Sequence, residues 1–171
     1  DLVKLWRSDD DLVYHHEYGF SCMGYEIPAG IGVHMAEPER EVVVLIGDGS
    51  YLMLNSEIVT AVSEDMNITI IVVDNHGYQS IHGLQRSCGS PSFGNELRYR
   101  NKKTGQLDGK YIDIDFAGHA SAMGAQAVFA SSEEEFVAAL EFARNNKGVK
   151  VIEVEVDPEK RVGGYRFGGW W

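Results

Sequence analysis

The sequence predicts an α/β fold: a three-layer sandwich whose mostly parallel, doubly wound sheet lies between helices. Three observations carry this expectation. Residues 41–46 (E-V-V-V-L-I) and 68–73 (I-T-I-I-V-V) are β-branched apolar runs that read as strands buried on both faces. The stretch between them has helical rather than alternating spacing. A third strand candidate, residues 149–156 (V-K-V-I-E-V-E-V), follows a helix that opens on three acids. Strands that alternate with helices of this length form βαβ units rather than hairpins.

Taken in order, Pro28 fits the first turn of a helix, and Ala29, Gly30 and Gly32 let that helix approach a sheet or ligand closely. The strand at 41–46 ends at Gly47-Asp48-Gly49, where glycines permit a tight turn. From about residue 51 to 65, Leu52, Leu54, Ile58, Ala61 and Val62 mark a buried helical face, with Asn55, Glu57, Ser63 and Glu64 on the other. The strand at 68–73 completes a βαβ unit, expected to be parallel with a right-handed crossover. A short helix follows near 78–84. Residues 85–111 look irregular, interrupted by Gly89, Pro91, Gly94, Gly105 and Gly109, and are expected to border the site.

Residues 112–123 read as a strand entry or cap and then a helix of small residues ending at Gly124, with a short strand at 125–130. Ser131 or Ser132 caps a helix running to about residue 146, and Glu133, Glu134 and Glu135 favour its N-terminal dipole. Phe136, Ala139, Leu140 and Ala143 form its buried stripe. The alternation in 149–156 suggests a closing strand with one less buried face. The final run, 161–171, sets four aromatics among four glycines and is expected to pack on a partner or return as a cover. No strand precedes Trp6-Arg7, so the chain is expected to be one domain, a fragment truncated at both ends.

Composition narrows the function classes. A chain of 171 residues with 44% apolar content can bury a substantial core. No apolar run approaches a membrane span and no signal peptide is evident, so the expectation is a cytoplasmic protein without membrane contact. Cys22 and Cys88 lack the spacing of a zinc site or disulfide framework. A net charge of -11 argues against a nucleic-acid partner. The acidity is uneven, because residues 78–111 hold six Lys/Arg against two acids.

The spacing of Gly47-Asp48-Gly49-Ser50 and Asp74-Asn75-His76-Gly77 has a geometric meaning. About fifteen helical residues at 1.5 Å run back roughly 22 Å, which about seven strand residues at 3.3 Å recover. Asp48 and Asn75 therefore finish at the same sheet edge, the carboxyl edge, where ligands of open α/β sheets collect. Asp48 offers a carboxylate oxygen and Asn75 an amide oxygen, while the amides of Gly49 and Ser50 suit a phosphate. Magnesium needs only one or two such side chains when a phosphate ligand and water complete its shell.

These residues resemble the motif of thiamine-diphosphate enzymes: Gly-Asp-Gly, about twenty-five residues, then Asn-Asn, with Asp74 here in place of the first Asn. The resemblance implies the thiamine-diphosphate-binding fold. It also implies magnesium held by Asp48, Asn75 and the Gly77 carbonyl. Residues 21–32 (S-C-M-G-Y-E-I-P-A-G-I-G) resemble the corresponding stretch of the acetolactate-synthase branch. In that branch an apolar residue, here Met23, props the bent cofactor, and a carbonyl, here that of Ser21, accepts from the aminopyrimidine. By this resemblance the cofactor residues are Ser21, Met23, Gly24, Gly47, Asp48, Gly49, Ser50, Asn75, Gly77 and Tyr78. The activating glutamate is expected in a separate pyrimidine-binding domain, usually of a second subunit, in a homodimer or homotetramer.

Residues 14–28 and 75–82, with the glycine-aromatic tail, further resemble inositol-catabolism enzymes that hydrolyse a cyclic trihydroxy-1,2-diketone to 5-deoxy-glucuronate. His15, His16, His76 and His82 are acid or base candidates for such ring opening, His76 foremost because it adjoins Asn75; Tyr78 and Gln79 are weaker ones. A carboligase or 2-oxo-acid decarboxylase would share every cofactor residue. A non-catalytic phosphate- or nucleotide-binding module remains a third reading, although neither Gly-x-Gly-x-x-Gly nor Gly-x-x-x-x-Gly-Lys-Ser/Thr follows a strand.

Overall fold

The computed structural model describes residues 5–8, 12–17 and 19–160. The tail at 161–171 lies outside them. Helix α1 (Glu26–Ala36) leads into β1 (Val42–Gly47), α2 (Asp48–Tyr51), α3 (Glu57–Ser63) and β2 (Ile68–Asp74). Then come α4 (Gln79–Ser87), α5 (Phe116–Ala122), β3 (Gln126–Ala130), α6 (Glu133–Asn145) and β4 (Lys150–Glu155). Among the described residues the sheet has four parallel strands in the order β1-β2-β4-β3. No described helix is long and apolar enough to cross a membrane.

The side-chain period of two divides each strand between the faces. Val42, Val44, Ile46, Ile68, Ile70, Val72 and Val151 meet Ile27 and Ile31 of α1, Ile58 and Ala61 of α3, and Phe116 and Ala120 of α5 in one core. On the opposite face, Ile71 and Ile152 meet Ala139 and Ala143 of α6, flanked by Phe136 and Leu140. The expected α6 stripe is the stripe observed. Its start is a reciprocal cap: Ser132 Oγ accepts the Glu135 N–H, and Glu135 accepts the Ser131 N–H and hydroxyl.

Three elements depart from expectation. β1 is buried on one face only, with Val43 52% and Leu45 42% exposed on the other, because α6 packs on β3 and β4. The single helix expected at 51–65 is two, α2 and α3, and Leu52 and Leu54 are exposed. The turn at 21–25 presses on the break: a Cβ at Gly24 would lie 3.2 Å from Leu54 Cβ and 3.5 Å from Met53 Cβ. β4 is central and buried on both faces through Glu153. Its alternation misleads because its charged residues are satisfied internally, Lys150 by Asn67 Oδ1 and Glu153 by the Ala117 N–H.

The stretch after α4 is also more ordered than its glycines suggest. Antiparallel bridges join Gly77 to Glu96 and Arg98 to Tyr111. The Tyr99 N–H donates to the Lys110 carbonyl, and the Asn101 N–H to that of Gln106. Residues 95–112 thus form a narrow arm that crosses residues 76–78.

Gly30 sets the distance between α1 and the sheet, since a Cβ there would overlap Val44 Cγ2. Gly30→Val is expected to lower stability by roughly 1–3 kcal/mol through overpacking, as read from urea unfolding.

Candidate metal and diphosphate site

Register brings the two halves of the motif together. Gly47 pairs with Val73 and Asp74 with Glu155, so Asp48 and Asp74 leave neighbouring parallel strands one step beyond the Gly47 pair. Asp48 is 0% exposed; its Oδ1 accepts the Gly49 N–H at 2.8 Å and its Oδ2 the Gly77 N–H at 2.7 Å. Two backbone donors orient this carboxylate without neutralising it.

The side-chain amide of Asn75 ends 2.7 Å from the Gly77 carbonyl oxygen and 3.1 Å from Asp48 Oδ1. With its nitrogen facing them it donates two hydrogen bonds; with its oxygen facing them, three oxygens converge with no donor between them. Neighbouring ligands of an octahedral magnesium with bonds of 2.0–2.1 Å sit about 2.9 Å apart. The observed separations match such an edge, so the residues fit a hard divalent cation. This is an oxygen set of one carboxylate, one amide and one carbonyl. Among the described residues no group of three His, Cys, Asp or Glu forms an alternative metal cluster.

Electrostatics supports the same reading. Burial is the main cause that pushes the Asp48 carboxyl up to about 7, and the adjacent Asp74 adds to it, while the Gly49 and Gly77 amides oppose it. A cation at this point would remove the penalty. Asp74, the residue unlike the family motif, accepts the His76 N–H at its Oδ1, 3.0 Å away. It thereby helps hold His76 at φ 60°.

The remaining predicted residues surround this point unequally. Gly47 ends β1 ahead of α2, and the ring of Tyr78 packs over Gly49, where a Cβ would lie 2.6 Å from it. The Ser50 hydroxyl accepts the Gly24 N–H at 2.7 Å and donates to Glu26, so it ties the Met23 turn to α2. The Gly49 amide is already committed to Asp48. Ser21 has φ 51° and lies in a turn organised by Glu17, which accepts the Phe20 and Cys22 amides. Met23 is partly exposed beside it.

Of the histidines, only His76 adjoins the oxygen triad. Its Nδ1 is 3.4 Å from Asp74 Oδ1 and its Nε2 is 3.7 Å from Glu155 Oε1, while the ring stacks on Tyr111 at 4.5 Å. His15 pairs with the Tyr25 hydroxyl, His16 stacks on Tyr14, and His82 is buried against Ser92. Gln79 donates to the Asn75 carbonyl and so supports the motif's backbone.

Sequence reasoning missed Glu96, Arg98 and Tyr111. Glu96 accepts from Arg98 at 3.0 Å, the Tyr111 hydroxyl at 2.8 Å and Ser92 at 3.0 Å. Burial alone would raise its carboxyl, but these donors outweigh burial and hold it down at about 2. The period-two alternation of E-L-R-Y-R at 96–100 was the available signal.

A parallel sheet whose strand ends bring a carboxylate, an amide and a carbonyl together beside a glycine turn has the arrangement expected of a domain for a metal-bound diphosphate. The comparisons agree: residues 2–154 match the family of thiamine pyrophosphate enzymes, C-terminal TPP binding domain, and the chain belongs to that family. Among its relatives is the 3D-(3,5/4)-trihydroxycyclohexane-1,2-dione hydrolase of Clostridium botulinum (strain Eklund 17B / Type B). The two are 43% identical over 171 residues, all of this chain and 26% of that protein. The protein of the same name from Bacillus thuringiensis (strain Al Hakam) is 42% identical over the same shares. The chain therefore spans about a quarter of these relatives' length. A solved structure, the thiamine diphosphate-dependent 4-hydroxybenzoylformate decarboxylase of Rhodococcus jostii RHA1, shares the fold with a TM-score of 0.67. That match has 24% identity and covers 79% of this chain and 23% of the decarboxylase.

The sign of the Asp48 shift fixes a pH dependence. Between its ordinary value of 3.8 and about 7 the folded state retains a proton that the unfolded state has lost, so stability falls as pH rises through that window. In metal-free protein this decline is expected in thermal melts, and Asp48→Asn is expected to flatten it.

Proposed function

We propose that this chain is the diphosphate-binding part of an enzyme that hydrolyses a trihydroxycyclohexane-1,2-dione, with thiamine diphosphate and magnesium as cofactors. The observation that carries the cofactor reading is the position of the Asn75 side-chain amide, 2.7 Å from the Gly77 carbonyl oxygen and 3.1 Å from Asp48 Oδ1. The substrate reading is supported by relatives of that name, 42–43% identical along the entire chain.

When bound, thiamine diphosphate supplies a carbanion-forming ring and an electron sink for breaking a bond beside a carbonyl. The chain's residues hold and orient. Asp48, Asn75 and Gly77 would ligate the metal, and the metal in turn would fix the diphosphate. The Gly77 N–H keeps the Asp48 carboxylate in place. The Ser50 hydroxyl, bonded to both Gly24 and Glu26, sets Met23 at a fixed height relative to α2. Met23 offers an apolar support for the bent cofactor, and the Ser21 carbonyl an acceptor for its aminopyrimidine. His76 stands beside the metal ligands, with ring nitrogens that face Asp74 and Glu155.

The activating carboxylate, the rest of the substrate pocket and the pairing of subunits as dimer or tetramer belong to this proposal too. They would come from the pyrimidine-binding domain and a second subunit. A carboligase or decarboxylase built on the same cofactor residues is the alternative, and assays of the full-length protein with the cyclic dione and with 2-oxo acids distinguish the two.

Calorimetry on the full-length protein tests the cofactor reading. Thiamine diphosphate is expected to bind only with magnesium, and Asp48→Ala is expected to abolish that binding. Binding of a nucleotide in its place, or unchanged binding by Asp48→Ala, would refute it.

A further inference from the structure

The arm formed by residues 95–112 spends its polar groups on one place. Its first strand-like segment pairs with the metal motif itself: the Tyr78 N–H donates to the Asn95 carbonyl at 2.8 Å, and the Leu97 N–H donates to the His76 carbonyl at 2.9 Å. These bonds pin the peptide groups on either side of Gly77, whose carbonyl belongs to the oxygen triad. The contact is close enough to exclude any side chain, since a Cβ at Gly77 would lie 2.5 Å from the Asn95 carbonyl oxygen and 2.9 Å from Glu96 Cα. Gly77 also has φ 141°, a backbone state that favours glycine.

The neighbouring residue is held in a costly conformation. His76 adopts φ 60°, where the Cβ of an L residue crowds its own backbone, so something must hold it there. Asp74 holds its N–H, and Tyr111 holds its ring, stacked 4.5 Å away and 20° from parallel. Tyr111 is fixed in turn. The Arg98 guanidinium carbon lies 3.7 Å from the Tyr111 ring centroid, and the Tyr111 hydroxyl donates to Glu96. Arg98 binds both Glu96 and the Gly109 carbonyl, closing the arm on itself. Ser92 donates to Glu96 and contacts His82 of α4, so the network returns to the helix that follows the metal motif. None of these residues belongs to either apolar core cluster.

We propose that the arm is a clasp for the metal site, in which Tyr111, fixed by Arg98 and Glu96, is a positioning residue that holds His76 and Gly77 in the conformation that aims the Gly77 carbonyl at the cation. The inference rests on the metal and diphosphate reading above and extends it to residues that touch neither ligand. The irregular stretch thereby supplies local backbone order at the point where two successive residues of positive φ must be maintained.

The test uses the full-length protein with Tyr111→Ala, Tyr111→Phe and Arg98→Met. Three quantities are read: magnesium affinity at saturating thiamine diphosphate, the melting temperature without cofactor, and hydrogen exchange at the Tyr78 and Leu97 amides. Loss of an outer-shell partner typically weakens metal binding about 10- to 100-fold. Tyr111→Ala is expected to weaken magnesium binding by about tenfold or more and to speed exchange at both amides, with the cofactor-free melting temperature nearly unchanged. Tyr111→Phe keeps the stack and loses only the bond to Glu96, so it is expected to recover most of the affinity. Arg98→Met removes the guanidinium packed on the Tyr111 ring and is expected to weaken magnesium binding in the same direction as Tyr111→Ala. Equal affinity in wild type and Tyr111→Ala overturns the clasp. So does a loss of affinity that Tyr111→Phe does not rescue. A wild-type protein that binds neither magnesium nor thiamine diphosphate refutes the functional reading on which the clasp stands.

Discussion

Asp48 is a carboxylate with no exposed surface at the end of a parallel strand, and the surrounding structure is organised around its charge. Burial opposes ionisation, and two backbone amides offset only part of that cost. In the proposed reading a divalent cation would meet the remainder, with Asn75 and Gly77 supplying its further oxygens. The constraint explains why Asp48 must leave β1 where Asn75 leaves β2, and why Gly77 must turn its N–H and its carbonyl toward the same place.

The fold meets that constraint in stages. Parallel pairing of β1 and β2 brings the strand ends level, and α1, α3 and α5 bury the face from which both strands emerge. Glu26 and Ser50 then link the turn carrying Met23 to the turn carrying Asp48. The arm presses on the other half of the motif through Asn95 and Leu97. Two separate braces thus act on the motif, one holding Ser50 beside the Gly-Asp-Gly turn and the other holding the backbone around Gly77.

Much of this was legible in the sequence because parallel geometry leaves little freedom. Twenty-four residues between Gly49 and Asp74-Asn75 can return to the same sheet edge only through a helix and a strand, and the structure shows Asp48, Asn75 and Gly77 together. The cap at Ser132 and the stripe from Phe136 to Ala143 were equally readable, since both follow from helix geometry alone. What escaped was set by tertiary contact. The break between α2 and α3 lies where the 21–25 turn packs against Leu54, and the burial of β4 goes with distant partners for Lys150 and Glu153. Glycines at 94, 105 and 109 hid the alternation from Glu96 to Arg100. Asp74 had no assignable role until the conformation of His76 was known.

Asp48, Asn75 and Gly77 are proposed to form one cation site. The most direct test of this assignment is a crystal structure of the full-length protein soaked with manganese and thiamine diphosphate, with the metal located by its anomalous signal. One manganese is expected, bonded to an Asp48 carboxylate oxygen, Asn75 Oδ1 and the Gly77 carbonyl oxygen. A manganese located elsewhere, with the Asn75 amide nitrogen still donating to the Gly77 carbonyl, would contradict it.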